Sequence, residues 1–373
     1  MASGAELNGY PLVDQAPEIT AALVEEAVTP LFPVQVRHGS ADARQIVRVL
    51  LASGLHATEG GPVSYCLPYS RTPLAEAVEH WRHCCEVLAE ARRPHREPHL
   101  ETFGGCMMGQ LCPPALLVAL SLLEGIFFAR HGVRCISFSY AQQTNPAQDE
   151  EAVAALHALI AEYVPRPRTH IVIYTYMGVY PRTRTGALRL LAESARLAVR
   201  GGASRLIVKT EAEAFRLPTV AENVAALELA AEVARTERAL LAGAPAEAPP
   251  DTGIAAQARA LVDNVLSLDD DLGRALCKAF AAGQLDVPFC LHPDNAGRAR
   301  GYLDRDGRLQ WQRIGALPLG HLVRPTGAER MSSAGLLESL RYMQRRFDHP
   351  AAGVALDASH GHRPLLQHEG IMP

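Results

Sequence analysis

Apolar positions along the chain follow two alternating periods. Runs with strand character occur at residues 8–12, 33–36, 55–58, 95–98, 133–140, 170–176 and 205–208. Between most of them the spacing changes to a helical repeat, at residues 45–51, 74–91, 115–129, 150–163, 187–198 and 219–234. Strands alternating with helices predict parallel βα units and an α/β fold. Seven such strands predict a TIM-type (β/α) barrel, one strand short of eight. A doubly wound sheet is the alternative; no G-x-G-x-x-G follows the first strand to support it.

Beyond residue 234 the texture changes. Residues 1–240 are expected to form the βα-barrel catalytic domain, followed by a Pro/Ala/Gly linker at 241–253. Residues 254–350 then form a smaller C-terminal α+β region. Its helices are expected at 254–268 and 272–282, and its hairpin turns on Asp306-Gly307. Residues 351–373 read as a loose tail. His360, His362 and His368 there could take a stray metal, and a disordered terminus is the simpler reading.

Composition narrows the class. Of 373 residues, 48% are hydrophobic and 20% charged, enough apolar material for a large core. The formal net charge of −4 leaves no nucleic-acid footprint. No apolar run reaches the roughly 18 residues of a membrane span, and the most apolar helix, 115–129, contains Glu124 and reads as buried. The eight cysteines form no C-x-x-C pair, and the first residues have no signal-peptide pattern. Both observations imply reduced thiols and a cytoplasmic location. Cys106 with Cys112, and His83-Cys84-Cys85, lack the spacing of a zinc site, so no metal is expected.

In a βα barrel the residues just past each strand share the face that carries chemistry. Arg37, Glu59, Tyr65 and Tyr69 stand at such positions. A guanidinium, a carboxylate and two phenols suit a small zwitterionic acid, with Arg gripping carboxylate and Glu taking an ammonium. Glu59 is the sharpest of these, because Gly60 and Gly61 after it permit close approach of a ligand. The two tyrosines could equally be packed aromatics. Lys209 ends an apolar strand and is spaced to meet Glu213, while Thr210 and Glu213 also fit a helix capping box. Tyr180 could stack on a planar ligand; taken alone, core packing explains it as well.

These residues fall into a series of short motifs: Asn8-Gly-Tyr-Pro, Arg37-His-Gly-x-x-Asp-x-Arg, Glu59-Gly-Gly-x-x-Ser-Tyr65-x-x-Pro-Tyr69, Arg96-Glu-Pro, Met177-Gly-x-Tyr-Pro, Val208-Lys209-Thr-x-x-Glu213-Ala, Lys278-Ala-Phe, Asp286-x-Pro-Phe and Asn295-Ala-Gly. Together, from about residue 7 to 319, they resemble the large (epsilon) subunit of glutamate mutase, or methylaspartate mutase. The resemblance implies an adenosylcobalamin-dependent isomerase interconverting L-glutamate and threo-3-methyl-L-aspartate, or a close analogue, by radical chemistry. A catalytically incomplete homologue acting as a binding protein is the alternative. By position, Arg37, His38, Glu59, Tyr65 and Tyr69 would bind substrate, with Glu59 also catalytic. Asn8, Pro68, Tyr180, Lys209, Glu213 and Leu217 would line the coenzyme. The cobalt-binding D-x-H-x-x-G motif is absent, so the resemblance implies a separate small cobalamin-binding subunit and a hetero-oligomer with a dimer of this chain. The family pattern places more sequence ahead of Asn8, so the resemblance implies a barrel incomplete at its N-terminal side and an N-terminal fragment acting in trans.

Overall fold

A computed structural model describes residues 9–29, 32–107, 111–243, 249–325 and 332–349. Five parallel strands form its centre: β1 (Ala57–Gly60), β2 (His99–Thr102), β3 (Cys135–Ala141), β4 (Arg168–Tyr174) and β5 (Arg205–Ile207). They lie in chain order, each beside its predecessor, in a curled half-barrel. A doubly wound sheet reverses its strand order at a switch point; this one does not reverse. The α/β class and the parallel βα units are therefore as expected, but among the described residues five of the seven expected strands form.

The two shortfalls have local causes. Pro11 has no N–H for a ladder, and Leu12 N–H turns back to the Tyr10 carbonyl at 2.8 Å; Asn8 lies outside the described residues. In the 33–36 run only Val36 reaches the sheet, through a parallel bridge to Thr58. Its N–H donates to the Ala57 carbonyl at 2.9 Å, and the Thr58 hydroxyl donates to its carbonyl at 2.9 Å. Strand β2 also begins later than expected. Residues 93–96 form a tight turn with His95 at φ 67°, and Pro98 cannot donate.

Helices α2 (Arg44–Ala52), α3 (Leu74–Glu90), α4 (Pro114–Arg130), α5 (Pro146–Tyr163), α6 (Arg184–Arg200) and α7 (Val220–Leu241) separate the strands or follow them. An unexpected α1 (Pro17–Ala27) precedes them, with proline at its first turn. Helix α4 is buried from Pro114 to Phe128, as its nearly unbroken apolar sequence requires. It is covered by the sheet, by α5 and by α8 (Ile254–Leu268), which brings α8 and α9 (Leu272–Ala282) into the same core as the strands. Asn145 caps α5 by accepting from Gln148 N–H at 3.0 Å, and Thr219 with Glu222 forms a capping box on α7.

The hairpin of β6 (Arg300–Leu303) and β7 (Leu309–Arg313) turns at Asp304–Arg308, as expected. The Asp286 and Asn295 motifs ahead of it are structural. Buried Asp286 accepts from the N–H groups of Gly297, Arg298 and Ala299, and Asn295 ties Val287 in both directions. Two short helices, α10 (Ser333–Leu340) and α11 (Tyr342–Asp348), end the described chain. Residues 244–248 of the linker and the tail after 349 lie outside it. Among the described residues no helix is long and apolar enough to cross a membrane.

Strand alternation gives the sheet two unlike faces. Leu100, Ile136, Phe138, Tyr140, Ile171 and Ile173 point outward into the helical layer and join one apolar core. The inner face carries a polar row in register, Glu59–Glu101–Ser137–His170. A closed TIM barrel usually fills that space with branched apolar side chains.

Candidate active site on the inner face of the half-barrel

Glu59, next to last in β1, is 1% exposed and accepts three hydrogen bonds. Arg37 Nε donates to Oε2 at 2.9 Å, Tyr65 Oη to Oε1 at 2.6 Å, and Tyr174 Oη lies 2.7 Å from Oε2. Burial disfavours the Arg37 charge, but Glu59 together with Tyr174 and Tyr65 outweighs it and the guanidinium pKa is raised. The guanidinium also lies 5.0 Å over the Tyr174 ring. Burial, with Glu59 beside it, pushes the Tyr65 phenol well above its usual range, so it acts as a donor.

His38 packs parallel to Trp81 with ring centroids 6.2 Å apart, and edge-on to Tyr65 at 5.0 Å. Burial lowers its pKa to about 4, so it is a neutral imidazole at neutral pH, and its Nδ1 accepts from Ser40 N–H. Tyr69 meets Tyr65 edge-on at 5.8 Å, and its side of the mouth is half exposed. Pro68 and Tyr69 line a 520 Å³ cavity with Phe289 and Leu291.

The two glycines after Glu59 serve the protein rather than a ligand, which corrects the reading made from sequence. A Cβ on Gly60 (φ 136°) would meet the Trp81 ring at 2.2 Å, and one on Gly61 would meet the Glu124 carboxylate at 2.1 Å. Glu124, on α4, is the anchor of the mouth. It accepts from Val63 N–H, from Ser64 N–H and Oγ, and from the N–H groups of Phe103 and Gly104. One carboxyl group thus fixes the loops after β1 and β2. Burial pushes its pKa up to about 7, with the donors from Ser64, Phe103 and Gly104 restraining the rise.

Lys209 stands two residues past the end of β5, at the same strand edge as Glu59, and pairs with Glu213. Thr210 caps a single 3-10 turn by accepting from Ala212 N–H, so the capping box expected with Glu213 does not form. Tyr180 is 4% exposed, packed with Tyr176, Met343 and Phe347. Lys209 Nζ lies 5.9 Å from its ring centroid, and its hydroxyl is buried with no hydrogen-bond partner. Core packing therefore explains the ring. Leu217 and Phe215 are exposed beside this turn. Lys209 and Glu213 thus form an ion pair at this turn, with Leu217 exposed beside it.

Several inner-face residues had not been expected to matter. Glu101 of β2 is fully buried and takes a 2.7 Å bond from Arg205 Nη2, which also donates to Ser137 Oγ. Tyr174 Oη lies 2.5 Å from Glu101 Oε1 and so links the two carboxyl groups. Farther down, ligand atoms of His99, Cys135 and His170 lie within 4.8 Å of one another. Arg168 donates to Cys135 Sγ and Arg205 approaches His99 Nε2 at 3.4 Å. These guanidiniums oppose a cation there, which makes the trio a poor metal site.

The family model of the methylaspartate mutase E chain matches residues 1–345. The chain belongs to the methylaspartate mutase E chain family. It is 34% identical over 324 residues to the glutamate mutase epsilon subunit of Halobacterium salinarum, a match covering 84% of this chain and 66% of that one. It is 30% identical to the epsilon subunits of Desulfitobacterium hafniense (88% and 69% covered) and Escherichia coli O157:H7 (85% and 67%). The chain thus spans about two thirds of the length of these relatives. Within this mutase family member, Arg37, His38, Glu59, Tyr65 and Tyr69 lie together at the mouth, with Lys209 and Glu213 on the same strand edge. Asn8 lies outside the described residues.

Proposed function

We propose that this chain is the substrate-binding subunit of a cobalamin-dependent carbon-skeleton mutase. Its substrate is L-glutamate or a close analogue, rearranged to the 3-methylaspartate skeleton. The observation that carries this reading is the buried Glu59 carboxylate, held by Arg37, Tyr65 and Tyr174 at the C-terminal edge of a parallel half-barrel in a chain of this family. A carboxylate so buried, with a guanidinium beside it, suits a ligand that brings both an ammonium and a carboxylate.

Arg37 grips a substrate carboxylate, and its contact with Glu59 keeps the two groups spaced for a zwitterion. Glu59 accepts the substrate ammonium, and neutral His38 fixes the Tyr65 ring by edge contact. Tyr65 and Tyr69 close the pocket with apolar surface that excludes water from a reactive species. Lys209, Glu213 and the Tyr180 hydroxyl hold the coenzyme's nucleoside, with Pro68 and Leu217 at its border; Asn8 is assigned there by resemblance alone. Adenosylcobalamin, when bound, would supply the radical chemistry of the rearrangement. The protein's share is to orient the substrate and to hold its ammonium and carboxylate fixed while the skeleton rearranges.

A separate small subunit carrying the cobalt contacts completes the enzyme. The test mixes this chain with such a subunit, adenosylcobalamin and L-glutamate, and measures methylaspartate by chromatography. Product that disappears in Arg37→Ala supports the assignment. If this mixture forms none, adding the N-terminal part of a full-length relative tests the trans arrangement. Glutamate binding without turnover in either mixture would favour the binding-protein reading.

A further inference from the structure

One phenolic proton stands between two carboxyl groups on the inner face. Tyr174 Oη is 2.7 Å from Glu59 Oε2 and 2.5 Å from Glu101 Oε1. A phenol has one hydrogen to donate. Were both carboxyl groups ionised, one of these contacts would set lone pair against lone pair. None of the three residues is more than 1% exposed, so no solvent relieves the conflict. A second proton on one carboxyl group removes it. The acid then donates to Tyr174 Oη, and Tyr174 donates onward to the other carboxylate.

The donor count decides which group carries that proton. Both Glu59 oxygens are already engaged, Oε1 by Tyr65 and Oε2 by Arg37. Glu101 has Arg205 on Oε2, which leaves Oε1 facing Tyr174 alone. We propose that Glu101 is a positioning residue for Glu59: it carries a proton on Oε1, donates it to Tyr174, and thereby turns the Tyr174 hydroxyl onto Glu59. Its part in turnover rests on the mutase reading above.

The titratable and charged groups facing Glu101 come from several elements, while β3 beside it offers the uncharged Ser137. They are Glu59 on β1 with Arg37 before it, Tyr174 on β4, Arg205 on β5, Cys106 beyond β2, and His99 on its own strand. Burial raises the Glu101 pKa; Arg205 and Tyr174 oppose the rise and Glu59 adds to it. With Glu101 protonated, Arg37 and Arg205 face one ionised carboxylate between them. The surplus positive charge complements a dicarboxylic amino acid, which has one net negative charge.

The relay has a defined sign with pH. As pH rises and Glu101 ionises, two anions compete for the Tyr174 hydrogen and Glu59 loses part of its orientation. In the assembled enzyme kcat/KM for glutamate therefore falls on the alkaline side. Glu101→Gln, whose amide is neutral at every pH and still donates to Tyr174, loses that limb.

The decisive measurement is infrared spectroscopy on this chain alone. A protonated carboxylic acid has a carbonyl stretch separate from the carboxylate bands. Buried Glu124 and Asp149 contribute similar bands, which cancel in the difference between wild type and Glu101→Gln. The expected result is one acid band lost in Glu101→Gln, still present in Glu59→Gln, and titrating away in wild type as pH rises. Tyr174→Phe keeps both carboxyl groups and should move the band to higher frequency, which serves if Glu101→Gln folds poorly. No difference band, a band lost in Glu59→Gln instead, or an unshifted band in Tyr174→Phe would overturn the proton assignment. A retained alkaline limb in folded Glu101→Gln would overturn the positioning role. An assembly inactive in every form would strike the mutase reading, while the band still decides where the proton lies.

Discussion

The two faces of the same five strands divide the work of the molecule. On β2, Leu100 points outward into the core while Glu101, the next residue, points inward to Tyr174 and Arg205. On β3, Phe138 rests against Gly125 of α4, where a Cβ would come within 2.0 Å of the ring, while Ser137 holds Arg205. Outward residues are apolar and interchangeable in kind. Inward residues include carboxylates, hydroxyls and guanidiniums tied to one another. Stability is therefore concentrated on one side of the sheet and the proposed binding on the other, with Glu124 as the main crossing point. It belongs to an outer helix, and its carboxyl group holds the loops of the inner mouth.

The largest expected effect breaks the outer face. Phe138→Ala removes a fully buried ring and should cost about 3–5 kcal/mol of unfolding free energy in urea titration. Activity per folded molecule should stay near wild type. A variant that folds as stably but binds substrate poorly would end the division proposed between the faces. Glu59→Gln tests the opposite side. It keeps shape and loses a charge-assisted hydrogen bond worth about 1.5–3 kcal/mol, so turnover should drop about 10-fold or more. Its melting temperature should fall as well, because the buried Arg37 pair and the tyrosine contacts lose the carboxylate. Clear destabilisation with normal activity per folded molecule would make Glu59 structural.

The outer face was the more legible from sequence, for a physical reason. Apolar periodicity reports burial against helices, and α8 and α9 were placed at their observed bounds by it. The inner face breaks that logic because its buried residues are polar. Arg37, Glu59, Tyr65 and Lys209 stood out because each sits at or near a strand end. Glu101 did not, because Pro98 and the turn at residues 93–96 push β2 four residues past its expected start. Read from His99, the strand would have shown a carboxylate level with Glu59. Tyr174 was lost in an apolar run, since a phenol and a core aromatic look alike until the partner is known. Pairings such as Tyr174 with Glu59, which are 115 residues apart, depend on register that no local pattern encodes.

A pH series separates the buried acids from the site. Burial raises Asp149, beneath β3, from 3.8 to about 8, against donors from Tyr140 and Gln143. Glu124 rises from 4.5 to about 7. Both folded-state values are raised, so both groups hold protons that the unfolded chain gives up above about pH 4. Their stabilising contribution is full below that point. It is lost as pH rises, by up to about 1.4 kcal/mol per unit for each group, and is gone above about 8. Urea unfolding between pH 5 and 9 should show stability falling toward pH 8, with a shallower slope in Asp149→Asn. A flat profile in wild type would mean that the donors around these groups keep them ionised when folded.

The smallest effect is expected at the strand edge, where the two faces meet solvent. The Lys209 and Glu213 side chains are 18% and 38% exposed, and a pair so placed contributes at most about 1 kcal/mol to folding. Lys209→Met keeps the stem that packs toward Tyr180 and removes the charge. Its unfolding free energy should stay within about 1 kcal/mol of wild type, because nothing buried loses a partner. Coenzyme affinity in the assembly should weaken about 5-fold, the equivalent of ~1 kcal/mol for one lost partly exposed contact. Titrating adenosylcobalamin into chain plus small subunit measures this directly, with glutamate affinity as the internal control. If Lys209 belongs to the nucleoside patch, coenzyme affinity falls while glutamate affinity holds. If instead the variant melts several degrees lower with coenzyme affinity unchanged, Lys209 braces the 3-10 turn after β5, and that edge belongs to the fold rather than to the ligand.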